Sequence, residues 1–187
     1  MTETGRRAVF FDRDGTLNLQ VVREGKPYPP ASVEEFSLFP EAESCCLRLK
    51  KAGYLLGVAT NQPDVGRGTQ RRETVESMHR IMLEKLPLDF VEVSYDATDE
   101  VSQGRRKPGP GMLLAAAKNH GIDLARSWMI GDRWRDIDCG AKAGCQTIFI
   151  DWGYQEHLRE KPDFTVHSLQ EAANIILTQT SNPNTKT

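Results

Sequence analysis

Apolar and polar positions along this chain fall into blocks whose lengths suit strands and helices in turn. The first block, Ala8-Val9-Phe10-Phe11, is an unbroken apolar run that stops at Asp12. A short run of this kind, ended by charged and turn residues, reads as a buried strand over 8–12. Residues 41–52 read as a helix closed by Gly53, a C-terminal stop signal. Further strands are expected at 54–60, 88–95, 127–130 and 145–150, with helices at 69–86, 109–120, 134–143 and 169–177. In 69–86, Val75, Met78, Ile81 and Met82 fall on one side. Gly121 marks the end of the helix before it. The stretch Lys26-Pro27-Tyr28-Pro29-Pro30 reads as a stiff surface loop. The polar tail from Thr178 reads as frayed. One domain is therefore expected over 1–178, with a flexible tail at 179–187.

This alternation predicts an α/β fold: a doubly wound, mostly parallel sheet with helices on both faces. In such sheets the functional residues lie just outside the carboxyl ends of the strands. The polar residues at those places are Asp12 and Asp14, Thr60 and Asn61, and Asp132. Side chains two apart on a strand point the same way, so Asp12 and Asp14 are expected to aim at one point. Crowded carboxylates need a cation or a shared proton, which makes this a candidate site for metal binding, acid–base chemistry or nucleophilic chemistry.

Composition narrows the choice. With 187 residues, 39% hydrophobic and 27% charged, the chain is long enough for a real core. A net charge of −2 provides no basic field to recruit nucleic acid or an anionic membrane. No apolar run is long enough to span a bilayer, and the polar start, Met1 to Arg7, has no secretory h-region. Cys45, Cys46, Cys139 and Cys145 lack metal-ligand spacing and read as reduced thiols of a cytoplasmic protein.

Four polar clusters follow one another: Asp12/Asp14, Thr60-Asn61-Gln62, Arg106-Lys107-Pro108, and Gly131-Asp132-Arg133-Trp134-Arg135-Asp136. Phosphoryl transfer needs such a set. A carboxylate attacks phosphorus, a second handles the leaving group's proton, a hard cation offsets charge, and fixed donors hold the equatorial oxygens. Read alone, each cluster has a plainer meaning. Thr60-Asn61 suits a strand-end turn, Arg105-Arg106-Lys107 a solvated patch, and Asp132 with Asp136 a helix N-terminus. Gly15 comes too early, after a strand rather than a helix, for an EF-hand loop. Trp134 and Trp152 read as packing residues, and His79, His120, His157 and His167 as structural or surface residues.

In combination and in order, Asp-Arg-Asp-Gly-Thr at 12–16, Thr60-Asn61-Gln62, Arg106-Lys107-Pro108 and Gly131-Asp132 with Asp136 resemble the four motifs of haloacid dehalogenase-superfamily phosphatases. The chain is most similar to the heptose bisphosphate and histidinol phosphatase branch. Shared pieces include Ala59-Thr60-Asn61-Gln62-Pro63, Gly66-Arg67-Gly68 and Arg106 through Leu113. The resemblance implies a Rossmann-like core without a large cap and Mg2+-dependent hydrolysis of phosphomonoesters through an aspartyl-phosphate. By this resemblance Asp12 is the nucleophile and Asp14 the general acid and base. Thr60 and Lys107 hold the phosphoryl group. Magnesium is held by Asp12, the Asp14 carbonyl and Asp132, with Asp136 supporting the metal. Asn61, Gln62, Arg106 and Arg133 reach the substrate.

The implied substrate is a small sugar phosphate, foremost D-glycero-D-manno-heptose 1,7-bisphosphate. The alternatives are histidinol phosphate, a phosphorylated nucleic-acid end, or a non-catalytic phospho-ligand binder. A dehalogenase is disfavoured because it needs no acid at Asp14. Bacterial relatives of this branch carry a cysteine/histidine zinc loop just before Arg-Lys-Pro. Here residues 96–105 contain neither Cys nor His, so no zinc is expected. An open site with loops 18–31, 62–68 and 96–105 setting specificity is expected, in a monomer with a small phosphorylated partner and no membrane or nucleic-acid partner.

Overall fold

A computed structural model describes residues 5–23, 26–102 and 104–181. Its centre is a six-stranded parallel sheet in the order β5-β4-β1-β6-β7-β8. The strands are β1 (Ala8–Phe11), β4 (Leu55–Asn61), β5 (Phe90–Ser94), β6 (Trp128–Gly131), β7 (Gln146–Ile150) and β8 (Phe164–Val166). β1 lies in the middle, with Phe11 beside both Val58 of β4 and Ile130 of β6. The chain winds outward from β1 to β5, returns across β1 to β6, and winds outward again. The reversal point lies at β1, where a parallel sheet opens a crevice at its carboxyl edge.

Both faces of β1 are buried, as the apolar run requires. Val9 and Phe11 face one core, built on α1 (Ala42–Lys51), α7 (Leu169–Ser181) and Met82 of α3 (Arg72–Lys85). Ala8 and Phe10 face a second core, against α5 (Gly111–His120) and α6 (Trp134–Ala143). The smaller elements are a hairpin of β2 (Val21–Arg23) and β3 (Lys26–Tyr28), the one-turn helices α2 (Pro63–Gly66) and α4 (Asp99–Ser102), and a 3₁₀ turn, Leu124–Arg126.

Several expectations need correction. The Pro-rich stretch is not all loop: Pro27 stands opposite Val22 in the β2–β3 hairpin, where a proline is tolerated because the ribbon has no third strand. β8 escaped notice because three residues show no period. β1 ends at Phe11, so strand alternation does not extend to Asp14. On α3 the fully buried positions are Val75, Met78, His79 and Met82, while Ile81 is only partly covered. The helix expected to stop at 177 continues to Ser181, and Thr180 is docked through a 2.6 Å hydrogen bond between its hydroxyl and that of Tyr54. That helix runs across the expected boundary at 178/179, and the remainder of the expected tail, 182–187, lies outside the described residues. Among the described residues, no helix is long and apolar enough to cross a membrane.

Leu49 is fully buried under the sheet and belongs to no polar cluster. Leu49→Ala is expected to lower unfolding stability by about 2–5 kcal/mol, read by urea denaturation, with activity per folded molecule unchanged. A loss below about 0.5 kcal/mol would contradict the packing described for α1.

Candidate active site

Asp12 follows β1 directly, and its backbone N–H donates to the Ile130 carbonyl of β6 at 2.8 Å. The chain then folds into a tight loop. The amides of Leu17 and Asn18 both donate to the Arg13 carbonyl, and that of Gly15 to the Asn18 carbonyl. Gly15 has φ +83, and a Cβ there would lie 2.3 Å from Oδ2 of Asp132. Only glycine allows this loop to close over the end of β6. The Trp152 indole N–H donates to the Gly15 carbonyl at 2.7 Å and its ring stacks on Phe39, so this tryptophan packs, as expected.

Lys107 enters from the segment before α5. Its backbone is clamped by Asn61, whose amide donates to the Lys107 carbonyl (2.9 Å) and whose Oδ1 accepts from the Lys107 N–H (3.0 Å). The Lys107 ammonium, almost wholly buried, lies 2.7 Å from Asp12 Oδ1 and 2.6 Å from Asp136 Oδ1. Asp136 is the third residue of α6. Its other oxygen accepts from the Arg133 N–H at the helix start (3.0 Å), the helix-terminus role considered from the sequence. A Cβ on Gly131 would sit 2.3 Å from the Asp136 carboxylate, so this close approach also needs glycine.

Asp14 turns elsewhere. Its two oxygens accept from Nε and Nη2 of Arg13 at 3.0–3.3 Å, from Asn18 (3.1 Å) and from Gln62 (2.9 Å). Gln62 also donates to the Thr60 hydroxyl at 3.0 Å, so Thr60 stands behind Asp14 through Gln62. The two aspartates of the first motif therefore have separate partners rather than one shared point.

These surroundings split their proton affinities. Burial, aided by Asp136 and Asp14, raises the Asp12 carboxyl to about 7 against the pull of Lys107. Burial also raises Asp14, but Arg13, Asn18 and Gln62 outweigh it and hold that carboxyl below its ordinary value. Asp132 is raised well above its ordinary value by burial and by Asp12 and Asp136. Burial lowers Lys107, but its two carboxylates more than reverse this, and it stays charged.

Asp12, Asp132 and Asp136 each offer a carboxylate oxygen, all mutually within 4.8 Å. Both oxygens of Asp136 are already engaged. Oδ1 of Asp132 is buried with no hydrogen-bond partner. Gln20 leans on the opposite side, its amide 3.1 Å from Asp132 Oδ2 and 3.4 Å from the Asp14 carbonyl. This oxygen-rich corner, with its orphaned acceptor, suits a hard divalent cation.

A cavity of about 630 Å3 opens from Asp12, Asp14 and Lys107 toward Pro27 and Pro29 of the hairpin region and toward Arg67, Arg106, residues 133–136, Glu156, His157 and Arg159. Arg106 lines it, but its Nη1 donates to the carbonyls of Asp96 (2.9 Å) and Ala97 (2.7 Å), and its Nε pairs with Asp99 at 3.1 Å. Its guanidinium thus ties down the 96–99 loop. Arg133 pairs with Glu156 at 3.2 Å. Further out, the Trp134 ring meets the guanidinium carbons of Arg135 (4.4 Å) and Arg159 (3.7 Å) from its centroid.

Sequence reasoning missed Arg13, Gln20, Arg135, Glu156 and Arg159, and it set His157 aside. Only Arg13, a cation between two acids of a motif, carried a local signal.

A carboxyl-edge cluster of two lysine-bound aspartates on a Rossmann-like sheet defines a hydrolase of the haloacid dehalogenase type, and comparison with known proteins agrees. The HAD-hydrolase-like family model matches residues 104–172. A D-glycero-D-manno-heptose-1,7-bisphosphate 7-phosphatase of Thermosynechococcus vestitus is 32% identical over 195 residues, covering 92% of this chain and 96% of that protein. A D-glycero-beta-D-manno-heptose-1,7-bisphosphate 7-phosphatase of Rhodopseudomonas palustris is 34% identical over 151 residues, covering 74% and 80%. The crystal structure of D,D-heptose 1,7-bisphosphate phosphatase from B. bronchiseptica, complexed with magnesium and phosphate, superposes with a TM-score of 0.77 at 26% identity, covering 92% of this chain and 99% of that one. The chain belongs to the HAD-like phosphatase family.

Asp12 keeps its proton to about pH 7 when folded, against 3.8 for the ordinary group. The folded chain therefore holds an extra proton between those values, and the ionised carboxylate weighs on the fold as pH rises through 7. Asp12→Asn removes that burden. In metal-free buffer its Tm is expected to exceed that of the native protein near pH 8, the gap to narrow as pH falls below about 7, and to close near the ordinary value of 3.8. A gap independent of pH would contradict the raised affinity.

Proposed function

We propose that the protein is a magnesium-dependent phosphomonoesterase that removes one phosphate from a sugar bisphosphate, foremost D-glycero-D-manno-heptose 1,7-bisphosphate. The observation that carries the chemistry is the Lys107 ammonium held between Asp12 and Asp136. It fixes the Asp12 carboxylate and offers a cation beside the incoming phosphoryl group. Asp12 attacks phosphorus, and the bond from phosphorus to the leaving oxygen breaks. Asp14, protonated in the substrate complex against the pull of Arg13, Asn18 and Gln62, delivers that proton to the leaving oxygen and returns to the carboxylate those three donors favour. Asp14 then takes a proton from water as the water attacks phosphorus, freeing inorganic phosphate and restoring Asp12.

Asp12, Asp132 and the Asp14 carbonyl would hold magnesium, which supplies charge neutralisation for the phosphoryl oxygens. Asp136 keeps Lys107 in place and sits against the same corner. The relatives' names and the magnesium and phosphate in the B. bronchiseptica enzyme support these assignments.

The bisphosphate reading rests on the outer cavity. Lys107, Arg67, Arg106 and Arg133 each have a carboxylate partner. Among the described residues, Arg135 and Arg159 have no carboxylate within 4.0 Å, and both line the cavity. Two such guanidinium groups suit a second anionic group on the substrate. They disfavour histidinol phosphate, whose amine is cationic.

A panel of phosphorylated metabolites assayed with magnesium tests the reading. Turnover should cease with chelator and in Asp12→Asn; persistence in either would refute it. Replacing Arg135 and Arg159 together by Ala should lower kcat/KM for the bisphosphate by roughly tenfold or more and leave a sugar monophosphate within about threefold. Equal losses on both substrates would exclude a second anion subsite there.

A further inference from the structure

Arg13 has no solvent-accessible surface at all. Nε and Nη2 of its guanidinium grip both oxygens of Asp14. Nη1 meets Nε2 of His79, from the buried face of α3, at 3.2 Å. A guanidinium in a protein stays protonated and only donates, so His79 Nε2 accepts and the ring is neutral with its proton on Nδ1. Burial and the Arg13 charge both oppose protonation of the ring, pushing it down to about 4. Phe36 lies 5.8 Å from the guanidinium carbon. No other contact of the His79 ring with a charged side chain's polar atoms is present among the described residues.

Because Arg13 itself is wholly buried, an unpaired Nη1 would be costly, and the guanidinium would turn to find another acceptor. Its planar fork is what fixes the Asp14 carboxylate relative to the substrate cavity. We propose that His79 is a positioning residue: by accepting from Arg13 it locks the guanidinium, and through it the orientation of Asp14 as proton donor to the leaving group. This rests on the phosphatase reading above and adds a residue outside the four motifs, 66 positions from its partner. His79 touches neither substrate nor reacting atoms, so its effect must appear in the step Asp14 performs.

That step can be isolated by the leaving group. An alkyl phosphate expels a poor leaving oxygen and depends on the proton; para-nitrophenyl phosphate expels a good one and depends on it little. With the magnesium-loaded full chain, kcat/KM is measured on both esters for the native protein, His79→Leu and His79→Gln. His79→Leu should lose about tenfold or more on the alkyl ester and less than about threefold on the aryl ester. His79→Gln, which offers a carbonyl acceptor, should restore the ratio to within about twofold. Equal losses on the two esters, or a native ratio in His79→Leu, would overturn the proposal. An inactive native protein on both esters would instead overturn the phosphatase reading. Nitrogen-15 NMR of the native protein checks the contact without a variant, whether or not His79→Leu folds: an unprotonated Nε2 at neutral pH is expected, and a protonated Nε2 would refute the arrangement.

Discussion

The site depends on one buried ammonium. Around the ends of β1 and β6 three aspartates, Asp12, Asp132 and Asp136, bring carboxylate oxygens within 4.8 Å of one another in a region nearly closed to water. Such a cluster is unfavourable by itself. Lys107 offsets it by touching two of the three at 2.6–2.7 Å. Removing one partner of a buried pair typically costs about 3–5 kcal/mol, because the other charge is left uncompensated. Asp132 remains with one oxygen unpartnered, and this incomplete neutralisation is what makes the corner receptive to a divalent cation.

The fold delivers these groups by topology more than by local sequence. Asp12, Asn61 and Asp132 lie at the carboxyl ends of three adjacent strands, β1, β4 and β6, around the point where the winding reverses. Lys107 comes from outside the sheet and is brought in by its backbone, through two hydrogen bonds to Asn61. Gly15 and Gly131 let the loop and the helix start approach Asp132 and Asp136 more closely than any side chain would allow. The same polar residues that read as substrate ligands thus hold other parts of the site: Asn61 holds Lys107, Gln62 joins Thr60 to Asp14, and Arg106 fastens the 96–99 loop.

The sheet and its main helices were legible because each long element carries a clear period and a stop signal, as at Gly53 and Gly121. Three-residue strands such as β8 carry no period, and Pro27 argued against the hairpin that contains it. The four motifs were legible because each sits at a strand end or helix start. The partners that tune them were not. Arg13 pairs with Asp14 only because the chain leaves the strand at Phe11 and breaks the alternation that would have aligned the two aspartates. His79 looks like one more buried position on α3 until α3 is packed against the first-motif loop. Arg135 and Arg159 come together on Trp134 across 24 residues, a contact that no local pattern announces.

The two neighbouring carboxyls of the first motif are held apart by different cations, Asp12 by Lys107 and Asp14 by Arg13, so each can take a separate part in the reaction. The most direct measurement is borohydride quenching during steady-state turnover with magnesium, followed by peptide mass spectrometry. An acyl phosphate on Asp12 would be reduced, so the mass change should fall on the peptide containing Asp12 and on that residue alone. Reduction at Asp14, Asp132 or Asp136, or no reduction while phosphate is being released, would contradict the assignment of Asp12 as the group that carries the phosphoryl.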